Sequence, residues 1–125
     1  MQSFKNSQFP RYTEYVGFKE SIGALLLAVD KIREKHLLDD YALKIIIRND
    51  DCQEVLAIGK AVELVTTANV DVIIGPTCNA PAVAVSVMSS YFNVPNYVWG
   101  LTTTNELALD KRSSTVTSLA ANYIS

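Results

Sequence analysis

The chain has 125 residues, 49% apolar and 19% charged, with a formal net charge of −2. One domain of ordinary globular composition fits these values, while a basic nucleic-acid surface and a polybasic membrane patch do not. No apolar run approaches the ~20 residues of a membrane span, and the start lacks the apolar core of a secretory leader.

Met1 to Glu14 is polar and aromatic without period and reads as a tail. From Gly17 to about Leu38 the spacing predicts a helix. Ile22, Leu25, Leu26, Val29 and Ile32 recur at three and four, with Asp39-Asp40 as its stop. Leu43 to Ile47 is β-branched and predicts a buried strand. Asp51 followed by Glu54 resembles a capping box, opening a helix from about Cys52 to Ala68 that Asn69 ends.

Val70 to Ile74 is an almost continuous apolar run, the pattern of a strand buried on both faces of a parallel sheet. Gly75-Pro76 stops it, because glycine allows a tight turn and proline has no N–H to donate. Asn79 is placed to cap a helix running from Ala80 to about Phe92. Asn93 to Asn96 reads as a turn into a strand around Tyr97 to Trp99. Thr102 to Lys111 is polar with a possible helical turn, and Ser114 to Leu119 alternates like a last short strand. Strands and helices alternate over short connections, which predicts an α/β fold with a parallel sheet and helices on both faces. No linker or repeat interrupts it.

The chemical inventory is thin. GxGxxG, GxxxxGK[ST] and GxSxG are all absent, and neither a cofactor nor a metal is implied. His36 is the single histidine, and a helix-end position explains it better than catalysis. The pairs Asp39-Asp40 and Asp50-Asp51 read as helix-boundary residues, since sequence neighbours point apart. Cys52 and Cys78 each follow the C-terminal end of a predicted strand. Those ends share one edge of a parallel sheet, so the spacing permits a bridge but equally permits two thiols.

Several blocks carry a resemblance. Val16-Gly17-Phe18 through Ala24 with Ala28 to Ile32, then Arg48 to Cys52, then Ile73 to Cys78, then Phe92 to Pro95, then Leu107 to Arg112 fall in a specific order. Together they resemble the receptor-type ligand-binding region related to type I periplasmic binding proteins. The likeness is strongest to the extracellular domains of receptor guanylate cyclases, in the natriuretic peptide receptor branch and its nematode-type members. The resemblance implies one incomplete N-terminal lobe over residues 15–119, flanked by tails 1–14 and 120–125. The sheet would be a partial doubly wound parallel sheet with its first strand missing, because Met1 to Tyr15 holds no β-branched run.

The resemblance further implies that Cys52 and Cys78 pair, in an oxidising, extracellular setting. It places a ligand cleft at the strand ends, with Asn49, Asp50, Thr77, Trp99, Thr102 and Thr103 as candidate contacts and Gly75-Pro76 as the structural turn. The parent would be a membrane receptor producing cGMP, homodimeric, answering an unidentified small-molecule or peptide ligand. This chain would lack the catalytic domain, and would touch the membrane only through parts it does not contain. An α/β enzyme fragment, and a truncated non-binding scaffold or dominant-negative isoform, are the alternatives. In the order 2-1-3-4-5 a missing first strand leaves Leu43–Ile47 and Val70–Ile74 about 10 Å apart, and the isolated chain is then expected to aggregate or stay molten.

Overall fold

A computed structural model of the chain describes residues 17–100, 102, 104, 106–109, 111 and 113–120. The two tails, the first-strand question and Thr103 lie outside the described residues, apart from Ala120. Contacts gather into two units, one up to Ile47 and one from Arg48 onward.

In the first unit, α1 spans Phe18–Glu34, with Gly17 as its N-cap. It ends earlier than Asp39-Asp40. His36 takes a left-handed conformation (φ 54°), and the amide of Leu37 folds back to donate to the Ile32 carbonyl at 3.1 Å. A left-handed residue with a six-to-one backbone bond closes the helix without any carboxylate. Asp39 instead meets His36 Nδ1 through Oδ2 at 3.0 Å on the surface. The stripe of Ile22, Leu25, Val29 and Ile32 is half-buried, and no residue of α1 is fully buried.

Leu43 to Ile47 departs from the expectation. It is assigned to no strand, and Leu43, Ile45 and Ile47 remain exposed. A β-branched run becomes a strand only when a ladder receives it, because its preference is for packing on a pleated surface. Among the described residues none does.

The second unit carries α2 at Glu54–Thr66, β1 at Ile73–Ile74, α3 at Asn79–Tyr91, β2 at Asn96–Val98, α4 at Glu106–Leu109 and β3 at Val116–Ser118. The three strands form one parallel sheet in the order β1-β2-β3. Ile73 aligns with Asn96 and Asn96 with Val116, so these residues share a face. That face is the buried one. Ile73 packs with Ala57 and Ala61 of α2, Val85 of α3 and Val94, while Val98 packs with Ala82 and Leu107. Alanines four residues apart on α2 let that helix approach its neighbour closely.

The opposite face carries Ile74, Tyr97 and Thr117, all exposed. The strand expected at Val70 to Ile74 is thus shorter than the sequence suggests, lies at the edge of the described sheet as β1, and is buried on one face only. Val72 and Ile74 are 41% and 62% exposed. In this unit the described helices pack on the Ile73 face, not on both.

Two helix starts also differ from expectation. Gln53, not Asp51, is the N-cap of α2, and it makes no side-chain cap bond. Cys78 is the N-cap of α3, with Asn79 as the first helical residue. Asn69 does close the turn after α2, at φ 52°. Asn93 (φ 54°) closes α3 in the same way, with the Val94 amide donating to the Ser89 carbonyl at 2.8 Å. Serines on α3 tie it to the β3 approach, Ser86 Oγ lying 2.9 Å from Ser113 Oγ and Ser90 Oγ 3.2 Å from Thr115 Oγ1.

Gly75 sits at φ 97°, and a Cβ built there meets nothing within 4 Å. The requirement for glycine is therefore conformational and not a clash. Gly75→Val should cost about 1–3 kcal/mol, the usual penalty for a non-glycine residue in such a region, and lower the thermal midpoint of the folded protein. An unchanged midpoint would show that the turn relaxes at no cost.

The uncovered face has a consequence in solution. The 125-residue chain by itself should associate as its concentration rises, and Ile74→Lys should reduce the light scattering, since exposed apolar strands template intermolecular pairing. A monomer with slow hydrogen exchange across Val72 to Ile74 would contradict this.

Candidate functional site

The second unit gathers its loops at the C-terminal end of the sheet, where open α/β sheets place ligands. Three segments meet there. The first is the turn Asn49 to Cys52, in which Asp51 and Cys52 both adopt positive φ, 52° and 58°. Side chains hold this unusual shape. Asn49 Nδ2 donates to Asp51 Oδ1 at 2.7 Å and Asn49 Oδ1 accepts from the Asp51 amide at 3.3 Å. Asp50 Oδ1 accepts from the Cys52 amide at 2.9 Å, and the Asp50 carbonyl accepts from Gln53 at 2.9 Å. Local bonds of this kind compete with helix formation, which is why α2 starts at Glu54 and Asp51 does not cap it.

The second segment is the turn from Gly75 to Cys78, and a disulfide joins Cys78 to Cys52 with their Cα atoms 5.7 Å apart. Closing a loop of this length stabilises by about 3 kcal/mol on the chain-entropy model. Thr77 lies between the proline and the cysteine, half-buried.

The third segment follows β2. Trp99 is half-buried just past the strand, and Thr102 is 1% exposed, its Oγ1 donating to the Pro76 carbonyl at 3.4 Å. Asn79 Oδ1 accepts from the Thr104 amide at 3.1 Å, so this side chain braces the loop after β2 and does not cap its own helix. Thr102 lies buried behind Pro76 and backs the turn through this long, weak contact. Thr103 cannot be placed because it lies outside the described residues.

The sequence pattern passed over Asn96, which it assigned to a turn. It is fully buried on β2, and its Nδ2 donates to the Gly75 carbonyl at 2.6 Å and to the Ile73 carbonyl at 3.3 Å. Its signal was an amide placed next to a buried apolar run, where such a group needs partners.

Between α2 and the end of β1 lies a shallow hollow of about 80 Å³, bordered by Arg48, Asp50, Lys60, Ala61, Gly75 and Pro76. It has room for a few waters or a small ion, judged against the volume one water needs. Arg48 Nη2 pairs with Glu63 Oε1 at 2.9 Å beside it, and Lys60 Nζ reaches Glu63 Oε2 at 3.7 Å. The guanidinium's hydrogen bond and charge hold the Glu63 carboxyl below its ordinary range. Asp50 behaves oppositely. Burial pushes its carboxyl up, the bond from the Cys52 amide pulls back, and the charge of Asp51 adds to the rise.

The chain matches the model of the receptor family ligand binding region over residues 21–124. It belongs to that family, whose fold is periplasmic-binding-protein-like. Among curated proteins it is 50% identical over 105 residues to the receptor-type guanylate cyclase gcy-20 of Caenorhabditis elegans, covering 84% of this chain and 10% of that protein. It is 47% identical over 105 residues to gcy-14 of the same species, with the same coverage, and 40% identical over 103 residues to gcy-13, covering 82% of this chain and 10% of that one. The chain thus spans about a tenth of the length of these relatives. No solved structure matches it. No helix among the described residues is long and apolar enough to cross a membrane.

Asp50 supplies a pH test. Its carboxyl is raised in the fold, so the folded state holds the proton more tightly than the unfolded one. Its contribution to stability is greatest at low pH and declines from the ordinary value of 3.8 up through the raised value. Asp50→Asn keeps an oxygen for the Cys52 amide and removes the charge. It should raise the thermal midpoint at neutral pH and give no gain below pH 3.8. A loss at neutral pH would mean that the carboxylate is stabilising there.

Proposed function

We propose that this chain is the ligand-receiving lobe of a receptor guanylate cyclase, lying on the extracellular side of the membrane, and that it carries no catalysis of its own. The observation behind this reading is the cluster of turns at the C-terminal end of the sheet, clamped by Cys52–Cys78, in a chain of the receptor ligand-binding family. A disulfide suits an oxidising compartment. Ligand contacts are assigned to Asn49, Asp50, Thr77, Trp99 and Thr103, with Thr102 holding the turn from behind. Residues 15–119 form the lobe in this reading, between tails 1–14 and 120–125.

The parent protein would be a homodimer anchored through segments beyond this lobe, and ligand arrival would change its cGMP output. The ligand is a small molecule or peptide. Its polar groups would meet the side chains of the Asn49 turn and Thr77, and its apolar surface the Trp99 ring. Trp99 is the single tryptophan of the chain, so in the isolated lobe a ligand that met its ring would change the fluorescence of one known residue.

The test is made in cells expressing the whole receptor, with a panel of small solutes and peptides as stimulus and cGMP as readout. Thr77→Arg and Trp99→Ala should each shift the dose for half-maximal output at least about tenfold, equivalent to ~1.4 kcal/mol, with basal output kept. Unshifted dose–response curves in both variants would place the ligand elsewhere.

A further inference from the structure

The buried carboxamide of Asn96 has no role in the ladder that an apolar residue could not fill. Val98, two positions on, occupies the same face and is equally buried. Yet Asn96 is 0% exposed, and among the described residues its Oδ1 finds no hydrogen-bond partner. A buried acceptor left unpaired is a cost, so the donors on Nδ2 have to account for the residue. They go to β1 and the residue just past it, to the Ile73 carbonyl at 3.3 Å and the Gly75 carbonyl at 2.6 Å. Gly75 is also the residue whose amide donates to the Tyr97 carbonyl at 2.6 Å and whose φ is 97°.

We infer that Asn96 is a positioning residue for the ligand cleft: by holding the Gly75 carbonyl it sets the exit of β1 and so the place of Thr77. Thr102 grips the next carbonyl, that of Pro76, and Cys52 grips Cys78. The turn is therefore held at three points along four residues, and Asn96 supplies the one that lies inside the sheet. The positioning stands on geometry alone; its consequence for ligand rests on the cleft reading given above.

Asn96→Asp tests it with almost no change of shape. A protonated carboxyl has one O–H to donate to the Gly75 carbonyl, and an ionised one has none. Burial raises the introduced group's pKa, so the bond is present at lower pH and lost as pH rises. The readout is hydrogen exchange at the Gly75 amide relative to the Leu119 amide, which bonds the Val98 carbonyl at 2.8 Å in another part of the sheet. It is measured in the full-length protein. In the variant the ratio should rise about tenfold or more with pH, and in the unmodified protein it should stay flat. Arg48, Asp50 and Lys60 border the same turn, so the unmodified protein titrated in parallel controls for them. Asn96→Thr, which keeps a hydroxyl donor on a shorter arm, should give an intermediate ratio at every pH.

A ratio that stays flat in Asn96→Asp would overturn the inference. So would equal acceleration at Gly75 and Leu119, or failure of both variants to fold, since either would make Asn96 a determinant of the whole core. If the exchange result holds but Thr77→Arg leaves the cGMP response unshifted, the cleft reading fails and the positioning stands.

Discussion

The second unit depends on where β1 stops. The Gly75 amide reaches the Tyr97 carbonyl at 2.6 Å, the last bond by which β1 donates to β2, and one residue later proline removes the next donor. A parallel pair cannot be joined by a hairpin, so the chain has to leave the sheet, cross over as a helix and return. The turn after Gly75 therefore has to rise from the sheet edge and deliver Cys78 as the N-cap of α3. Everything at the candidate site follows from that exit. Thr77 stands on it, Thr102 and Asn96 hold it, and the disulfide ties the Asn49 turn to its far end.

Covalent and non-covalent restraints divide the labour here. The core beneath is made of small residues, Ala57, Ala61, Ala82, Val85, Val94 and Val98, with Ile73 and Leu107 as the larger members. Side chains of this size bury little area each, and the stabilisation from burial scales with area. Hydroxyl pairs such as Ser86–Ser113 satisfy polar groups without adding much apolar burial. A bridge spanning 26 residues compensates by limiting the unfolded chain, and its contribution does not depend on how well the core is packed. At its Cys52 end the side-chain bonds of Asn49 and Asp50 hold Asp51 and Cys52 at positive φ, a conformation that persists only where the surroundings over-determine it.

Legibility in the sequence followed the range of the interaction responsible. The helices were legible because their periodicity is local, and α2 and α3 begin and end within about two residues of expectation. The parallel arrangement was legible from alternation of elements, and the observed order β1-β2-β3 agrees. Caps were less so. Asp51 and Glu54 match a capping pattern, but Asn49 and Asp50 offered the backbone a competing set of bonds, and no pattern of four residues weighs that competition. Asn79 was drawn to Thr104, twenty-five residues away. Leu43 to Ile47 failed for the opposite reason: strand propensity is only a permission, and the ladder that would have used it is not among the described residues. Of the site, Cys52–Cys78 came through family likeness, while Asn96 was hidden because a buried amide becomes visible only once its carbonyl partners are in place.

The size of the hollow bears on how such a lobe can bind. Pockets that hold a drug-sized ligand run to roughly 300–1,000 Å³ and cover most of its surface. The hollow beside β1 is about 80 Å³, and the larger one in the first unit, near Tyr41 and Leu43, is about 220 Å³. Neither can enclose such a molecule. If the cleft lies at the strand ends, the described residues form one wall of it, and the remaining area has to be supplied by another lobe or another protomer. Affinity would then be controlled by closure as much as by contacts, because a single wall gives few desolvated bonds until the second arrives. A stiff wall favours that scheme: a turn fixed at three points loses little freedom when the ligand lands. More of the binding energy then remains to shift the equilibrium between open and closed forms. The restraints on Gly75 to Cys78 suit such a surface: Asn96 spends its amide nitrogen on the Gly75 carbonyl while its own oxygen, among the described residues, is left without a partner.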